Sequence, residues 1–388
     1  MEIKIAVFAA LATLAGSACA QSSVTLYGVI DTGLLYQSAT GPAYLASTAS
    51  AAKYVSAGKI IGLKDGGIYA SGFGLRGTED LGDGYTVGFK LQGSFQSING
   101  AMQLSDTAGV SALFNQYAML SVSSPYGNLD VGRQIVPMIW AMEDTDARHA
   151  QYFGSVLTAW IGMNQAARWV PTSTNAPIGA LYDSNALVYH SPSFHGATAE
   201  FEYAPGGVAG QIQGGTRESA VLRYAYGGLH LAAVYYNGHD TNPFPATYPT
   251  TPATPATGED NNRFYYLGAR YTYQGMTASA SWALGQNPSN TNQADVDLLS
   301  AGLGYVISPQ LQVTSGIYYL RSKSSLYPGH STEISLAADY SLSRQTVLYA
   351  EAGHVNNRGI MNQMIVYGSF VAPDANTTAV MIGMRHNF

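Results

Sequence analysis

Hydrophobic and polar residues alternate along much of this chain with a period of two residues, not the longer period of a helix. From Met276 to Leu284, apolar side chains occupy every second position, and Thr277, Ser279 and Ser281 lie on the opposite face. Residues 85–95 follow the same scheme, with aromatic and aliphatic side chains on one face and Lys90 and Gln92 on the other. Successive side chains of a β-strand point to opposite faces of its sheet. These segments are therefore predicted to be strands with one apolar and one polar face.

Turn residues divide the chain into sixteen such segments, an even number. Short connections such as Gln274-Gly275 alternate with loops that are mostly ten residues or longer. Alternation by itself would also fit a soluble sandwich, but short turns at one rim and long loops at the other are typical of outer-membrane barrels. The sequence therefore predicts an all-β fold, a sixteen-stranded antiparallel transmembrane β-barrel. The predicted strands lie at residues 24–37, 68–78, 85–95, 115–123, 128–134, 185–192, 196–204, 217–226, 229–237, 263–273, 276–285, 295–306, 311–321, 332–341, 345–354 and 376–388.

Both ends of the chain fit an exported barrel. Residues 1–20 combine Lys4, an apolar run and a small-residue cleavage site, which indicates a secretory signal peptide and leaves 21–388 as one domain. Cys19 is the only cysteine, and attachment of a lipid to it is the alternative interpretation of this segment. The last predicted strand alternates and stops on Phe388. Such an ending resembles the signal by which outer-membrane barrels are recognised for assembly.

The composition excludes several classes of protein. Charged residues make up 11% of the chain, less than half of the roughly 25% usual for soluble domains. The chain has 18 Lys and Arg against 24 Asp and Glu, a balance that argues against nucleic acid as a partner. Beyond the first 20 residues, no run approaches the ~18 apolar residues of a membrane-spanning helix. A helical membrane protein is therefore excluded.

Enzymatic signatures are missing from the sequence. It contains no Gly-x-Ser-x-Gly nucleophile motif, no His-Glu-x-x-His motif and no tight His/Asp group with metal-ligand spacing. His190 and His195 bracket a short turn, where solvated imidazoles are expected. We therefore expect no catalytic residue, no metal and no cofactor.

Five sequence blocks carry a family resemblance. They are Val24–Asp31 (VTLYGVID), Gly74–Gly84 (GLRGTEDLGDG), Val131–Gln134 (VGRQ), Tyr189–Gly196 (YHSPSFHG) and Gly383–Phe388 (GMRHNF). Spread over the chain, they resemble the general porins of β-proteobacteria. The resemblance implies a homotrimer in the bacterial outer membrane, each barrel a water-filled channel for passive diffusion of small hydrophilic solutes and ions. It also implies a long third loop, here residues 135–183, folded inward to narrow the lumen.

The resemblance further implies a constriction where basic residues of the barrel wall face acidic residues of the inward loop. Arg133 and Arg76 match basic wall positions of the family. On the loop, Glu143, Asp144 and Asp146 form a dense acidic cluster, which we interpret as the other side of the constriction. The alternative is that these three are solvated loop charges.

The sequence departs from the family pattern at two wall positions. Gly72 and Val188 stand where the family usually has basic residues, so the basic side is thinned. With three carboxylates opposite, we expect weak anion selectivity at most, and rather a mild cation preference. Strict alternation would also turn Arg133 toward lipid, where arginine is costly, so a β-bulge near Gly132 or the start of the inward loop is required to turn it back.

The polar faces of other strands supply further lumen-facing candidates. A substrate-selective channel for sugars, organic acids or aromatic carboxylates remains the alternative function. The thinned basic side and the loop residues Trp140, Trp160 and Trp169 favour it, although these tryptophans could instead anchor the loop. Outer-membrane lipids and lipopolysaccharide are the expected surroundings. The predicted lumen-facing residues are Lys90, Gln92, Glu200, Glu202, Arg223 and Arg270.

Overall fold

The computed structural model describes residues 23–41, 56–102, 111–167, 176–240, 257–287, 294–326 and 328–388. They form one antiparallel sheet of seventeen strands whose first strand also pairs with the last, so the sheet closes into a barrel. The strands are β1 (Ser23–Gln37), β2 (Ile60–Asp65), β3 (Ser71–Gly82), β4 (Tyr85–Phe95), β5 (Tyr117–Ser124), β6 (Gly127–Ile135), β7 (Tyr182–His190), β8 (Ala197–Ala204), β9 (Arg217–Tyr226), β10 (Leu229–His239), β11 (Asn261–Tyr273), β12 (Met276–Gln286), β13 (Val296–Val306), β14 (Leu311–Ser322), β15 (Gly329–Ser341), β16 (Thr346–Gly359) and β17 (Asn376–Asn387).

The barrel has sixteen strand positions, as the sequence predicts, because β2 and β3 share one of them. Both strands pair with β1, β2 along its C-terminal half and β3 along its N-terminal half. The predicted signal peptide, residues 1–20, lies outside the described residues. No helix among the described residues is long and apolar enough to span a membrane.

Side-chain exposure alternates along the strands in the way that the sequence pattern requires. Leu222 and Leu267 are 58% and 54% exposed, whereas the adjacent residues Val221 and Tyr266 are buried. The exposed face of these strands is apolar, which suits contact with lipid. The hairpin between β11 and β12 turns at Gln274-Gly275, where both φ angles are positive, as a type I′ turn needs.

The strand position shared by β2 and β3 is interrupted at residues 66–70. β2 was not predicted, and the predicted strand 68–78 begins inside this interruption. Gly66 adopts a φ of +74°, which favours glycine and turns the chain out of the sheet. The main-chain N–H of Gly66 still donates to the Asp31 carbonyl, at 3.0 Å, so the interruption remains tied to β1.

The bulge required near Gly132 is present. The register between β6 and β7 shifts between Gly132 and Gln134. Gly132 has a φ of +129°, and a Cβ there would lie 2.2 Å from the Ala118 carbonyl oxygen, so only glycine fits. This shift changes the side to which Arg133 points, as the sequence required.

Two helices follow β6. Helix α1 (Pro137–Thr145) begins with proline in its first turn, where the missing N–H costs nothing, and α2 (Val156–Ala166) begins with a capping box formed by Ser155 and Thr158. Helix α1 packs against β8 to β12, and α2 packs against β13 and β14. The buried apolar side chains of both helices form one hydrophobic cluster with those strands.

A second segment, residues 360–375 between β16 and β17, packs against the chain between the two helices. Phe153 forms a β-bridge with Val366. The N–H of Gly154 donates to the Ile365 carbonyl at 2.7 Å, and the N–H of Tyr367 donates to the Tyr152 carbonyl at 2.8 Å. Nothing in the alternation pattern indicated this contact, because it joins two segments outside the strands.

Candidate functional site

Two cations lie side by side on β3 and β4. Arg76 and Lys90 are register partners across these strands. The Arg76 guanidinium lies 5.1 Å from the centre of the Tyr27 ring, and the Lys90 ammonium lies 3.4 Å from that of Tyr117. Both cations are therefore supported by the face of an aromatic ring, an attraction of about 0.5–2 kcal/mol.

Arg133 occupies a comparable position on β6. Its guanidinium lies 5.2 Å from the Tyr182 ring centre. Its Nε donates to the Asn115 carbonyl at 2.7 Å, and Nη1 donates to the Ser184 hydroxyl at 2.9 Å. These contacts fix the guanidinium on the side of the sheet to which the bulge has turned it.

A fourth cation, Arg385 on β17, was not named among the sequence candidates. Its guanidinium lies 5.0 Å from the ring centre of Tyr69, which belongs to the interruption between β2 and β3. The alternation of the last strand could have identified it. Met384 and His386 share the face of Phe388, so Arg385 points to the opposite face.

Glu143, near the end of α1, contacts the same tyrosine. Its Oε1 lies 3.2 Å from the Tyr69 hydroxyl. Burial raises the pKa of the Glu143 carboxyl, and the neighbouring charge of Asp144 raises it further, whereas the Tyr69 hydroxyl, Arg223 and Arg385 oppose the rise. Glu143 therefore lies within electrostatic range of cations on two different strands, β9 and β17.

Asp144 is paired with the barrel wall. Its Oδ1 lies 3.2 Å from Nη2 of Arg270 and 2.9 Å from Nδ1 of His230. Arg270 also donates from Nε to the Asp144 carbonyl oxygen at 2.6 Å. The structure thus brings together two sequence candidates, Asp144 and Arg270, and compensates the charge of the carboxylate.

Asp146, predicted beside Glu143 and Asp144, occupies a different environment. Only 3% of it is exposed. Its carboxylate accepts hydrogen bonds from the N–H groups of Ala150 and Val156, each at 3.2 Å, and from the Tyr318 hydroxyl at 3.1 Å. These bonds fasten the turn between the two helices, so the Asp146 side chain is engaged by the protein itself.

The adjacent Arg148 is fully buried. Its Nη2 forms a 3.1 Å ion pair with Oε1 of Glu351 on β16, and neither side chain is exposed. Arg148 also donates to the Phe153 and Gly154 carbonyls and, at 2.9 Å, to the Thr314 hydroxyl. Its guanidinium is therefore engaged by the protein itself. Arg168, the other arginine between β6 and β7, lies outside the described residues.

The remaining acidic candidates belong to β8. Glu200 lies 3.0 Å from Nη2 of Arg223 and 3.4 Å from Nδ1 of His190. Glu202 is 4% exposed and accepts a 2.8 Å hydrogen bond from the Ser219 hydroxyl. Glu200 is thus compensated by a cation, while Glu202 lies deeper, among the side chains of β8 and β9.

Amides surround the position of the missing basic residue at Gly72. A Cβ there would lie 2.9 Å from the Gly93 carbonyl oxygen and 3.6 Å from Oε1 of Gln116. Gln92 donates from Nε2 to that same Gln116 oxygen at 2.5 Å and accepts a 2.8 Å bond from the Tyr27 hydroxyl. Val188, the second departure from the family pattern, is buried. The wall at this level therefore carries hydrogen-bonding groups without charge.

The loop tryptophans differ in their surroundings. Trp160 is buried, and its Nε1 donates to the Ile178 carbonyl at 2.8 Å, so it anchors the segment. Trp140 is 38% exposed. Trp169 lies outside the described residues. Among the residues that the structure describes, no group of three or more His, Cys, Asp or Glu side chains could hold a metal ion.

Comparisons with known proteins agree on one family. The family model for Gram-negative porins matches residues 6–360. The outer membrane porin protein 32 of Delftia acidovorans is 28% identical over 394 residues, and an outer membrane porin protein of Bordetella pertussis is 29% identical over 420 residues. Each alignment covers 98% of both chains.

Solved structures have the same fold. The anion-selective porin from Comamonas acidovorans matches with a TM-score of 0.71 and 22% identity, over 95% of this chain and all of that one. The trimer form of OmpT, an outer membrane protein of Vibrio cholerae, matches with a TM-score of 0.63 and 14% identity, over 95% of this chain and 99% of that one.

Proposed function

The chain belongs to the Gram-negative porin family, and from that premise we propose that Glu143 and the cations around it form the constriction of its channel. A protein of this family resides in the bacterial outer membrane and lets small hydrophilic solutes diffuse passively through a water-filled barrel. A sixteen-stranded barrel is wide enough for an aqueous channel. What the constriction admits then depends on the charges at its narrowest point.

We propose that the segment between β6 and β7, which makes up most of the predicted loop 135–183, is the inward-folded loop. The support comes from the contacts of its described residues, 136–167 and 176–181, which involve the buried face of the strands and not the apolar exposed face. Arg148 reaches Glu351 on β16, while Arg270 on β11 reaches Asp144. A segment that is bound to both of these strands of a closed barrel lies across the interior of the barrel.

The charge balance around Glu143 favours anions. Arg76, Lys90 and Arg385 form no ion pair with any carboxylate among the described residues, whereas Asp144 is paired with Arg270 and Asp146 is fully hydrogen-bonded. This revises the charge count behind the expected cation preference, in which all three carboxylates opposed two arginines. The anion-selective porin with the same fold is consistent with this proposal.

Reversal potential tests the sign of this selectivity. With a tenfold KCl gradient across a planar lipid bilayer, we expect the refolded protein to give a steady ohmic conductance and a potential of the anion-selective sign. The Glu143→Gln variant should move the potential further in that direction, because it removes the carboxylate that the cations face. A cation-selective wild-type channel, or a potential that Glu143→Gln leaves unchanged, would contradict the proposed constriction.

A substrate-selective channel is the second candidate. It is favoured by the hydrogen-bonded row of Tyr27, Gln92 and Gln116 beside the cations Arg76 and Lys90, because amides and phenols bind hydroxyl groups while cations bind carboxylates. Solutes added to the same bilayer separate the two functions. Saturable block by one class of sugar, organic acid or aromatic carboxylate supports the selective channel, and unblocked conductance supports the general one.

Thiol labelling tests the predicted lumen-facing residues. We expect single cysteines at Lys90, Gln92, Glu200, Arg223 or Arg270 to react with a water-soluble thiol reagent and to change the conductance. Cysteines at the exposed apolar positions Leu222 and Leu267 serve as controls and should react with a lipid-phase probe instead. Glu202 should react slowly because it is buried. Reaction of the two leucine positions from water would contradict the assignment of faces.

Four further features remain proposals. The homotrimer is supported by the trimer form among the structural matches, and contact with lipids and lipopolysaccharide by the apolar exposed face of the strands. We also propose that residues 1–20 are a signal peptide, and that the protein is a channel without enzymatic activity.

A further inference from the structure

Asp31 holds the interruption between β2 and β3 in place. Its side chain is fully buried. One carboxylate oxygen accepts the N–H of Gly67 at 3.1 Å, and the other accepts the N–H groups of Ile68 and Tyr69, each at 3.0 Å. Three successive amides thus converge on one carboxylate. Hydrogen bonds to a charged acceptor are the stronger kind, so the path of residues 67–69 is closely fixed.

The opposite side of this carboxylate is closed by Tyr349 of β16, whose hydroxyl donates to Asp31 Oδ1 at 2.7 Å. A Cβ at Gly67 would lie 2.4 Å from the Tyr349 ring, so the close packing requires glycine at this position. Ile68 packs in a small apolar cluster that includes Tyr349 and Phe153. The interruption is therefore a packed structure supported by two different strands.

The position that these contacts give to Tyr69 matters for the constriction. Its hydroxyl lies 2.6 Å from the His149 carbonyl oxygen and 3.2 Å from Oε1 of Glu143. Arg385 covers the Tyr69 ring, and Tyr152 packs edge-on against it at 6.1 Å between ring centres. Tyr69 thus bridges the barrel wall, the acidic side of the proposed constriction and one of its cations.

We propose that Tyr69 is a specificity-determining residue of the constriction and that Asp31 is the positioning residue that holds it against Glu143. The proposal rests on the proposed function, because it assumes that the charge of Glu143 acts on permeating ions. Tyr69 sets how readily Glu143 carries that charge, and Asp31 acts through the backbone of Tyr69. Neither role follows from the sequence, since Asp31 lies 38 residues before Tyr69.

The pH dependence of the reversal potential provides the readout. When the pH falls through the pKa of Glu143, the carboxylate is neutralised. The channel then becomes more anion-selective, and the pH at the midpoint of this change reports the pKa of Glu143 in the channel. The Tyr69 hydroxyl lowers the pKa of Glu143, and its removal should raise the midpoint. Glu143 interacts electrostatically with five charged or titratable groups, which are Tyr69, Asp144, Arg223, Arg385 and Tyr117.

Tyr69→Phe removes the hydroxyl and keeps the ring under Arg385. We expect the midpoint to rise by about half a unit to one unit, because one hydrogen bond to a charged group, shared with a second acceptor, is lost. The combination of Tyr69→Phe with Glu143→Gln should behave as Glu143→Gln alone and show no transition. Tyr367→Phe is the matched control. Tyr367 packs against the Tyr152 ring, as Tyr69 does, but it has no contact with Glu143.

Asp31→Asn tests the positioning role. An asparagine cannot accept from all three amides without opposing one N–H with its own, so residues 67–69 should shift. We expect the same rise of the midpoint as in Tyr69→Phe, together with a changed single-channel conductance. If this variant does not assemble, Tyr349→Phe takes its place, because it removes one bond to the carboxylate and should give a smaller rise.

The outcomes separate the two proposals. If Glu143→Gln removes the wild-type transition but Tyr69→Phe leaves the midpoint unchanged, the role of Tyr69 is refuted and the constriction stands. If Tyr69→Phe raises the midpoint while Asp31→Asn, or Tyr349→Phe in its place, does not, the role of Asp31 is refuted. If Glu143→Gln leaves the wild-type transition intact, the proposed constriction and this proposal both fail.

Discussion

Replacing Arg76, Lys90 and Arg385 together by glutamine should reverse the ion preference of the channel from anions to cations. Among the described carboxylates, none forms an ion pair with these cations, and each cation lies instead over a tyrosine ring. Their removal takes three positive charges from the constriction and leaves Glu143 opposed by Arg133 and Arg223. A lumen with low-dielectric walls focuses such a field, so we expect the anion-to-cation permeability ratio to change on the order of tenfold or more.

Reversal potential in a tenfold KCl gradient measures this change. The control removes the same number of positive charges elsewhere, with Arg321, Lys323 and Arg358 replaced by glutamine. Arg321 and Lys323 are exposed near one end of β14 and pair with Asp297, away from Glu143. A control that moves the potential as far as the triple variant would show that net charge, and not the constriction, governs selectivity.

Higher ionic strength should enlarge the difference between the two triple variants. Salt at ~0.1 M screens exposed charges beyond about 10 Å. The control positions act from a distance, so their effect should nearly vanish at high salt. The effect of Arg76, Lys90 and Arg385 should persist, because ions pass close to them.

The sixteen strands could be predicted from the sequence because each has to satisfy two different surroundings at once. The segment predicted at 276–285 is observed as Met276–Gln286, and the segment predicted at 85–95 is observed at Tyr85–Phe95. An apolar face toward lipid and a polar or small face toward the interior impose a period of two residues. Strand boundaries agree within a few residues for the same reason.

β2 could not be predicted in this way. Its sequence, IIGLKD, does not alternate, and the strand exists only because its backbone pairs with the C-terminal half of β1. The interruption that follows is a tertiary feature as well. Its glycines indicate a turn, but its geometry depends on Asp31 and Tyr349, which lie on strands distant in sequence.

The candidate site was predictable in its residue types and less so in their pairing. Glu143, Asp144 and Asp146 lie within four residues of each other, yet the helix and the following turn direct them to a tyrosine, a cation and a set of backbone amides respectively. Local sequence gives their charge but not their partners. Arg385, in contrast, could have been found from alternation alone.

The buried pair of Arg148 and Glu351 should have the largest effect on the stability of the segment between the helices. Removing one member of a buried ion pair leaves an uncompensated charge, at a cost of about 3–5 kcal/mol. Glu351→Met leaves the fully buried guanidinium of Arg148 without its partner. Arg148→Met leaves the carboxylate of Glu351 without its partner and also removes the donors to the Phe153 and Gly154 carbonyls. Either variant should loosen residues 146–156 while the barrel stays closed.

Replacing both residues by methionine distinguishes the contribution of the ion pair from the cost of leaving one charge unpaired. A buried ion pair exchanged for apolar residues of similar volume is often neutral or stabilising, and the Gly154 carbonyl would keep its bond from the Ser335 hydroxyl. We therefore expect the double variant to be more stable than either single one. Hydrogen exchange of residues 146–156 measures this directly, and the single variants should exchange roughly a hundredfold to several thousandfold faster than the wild type. If the double variant exchanges faster than both, the pair itself holds the segment; if the single variants exchange like the wild type, the segment is held by its apolar packing, and the ion pair contributes little.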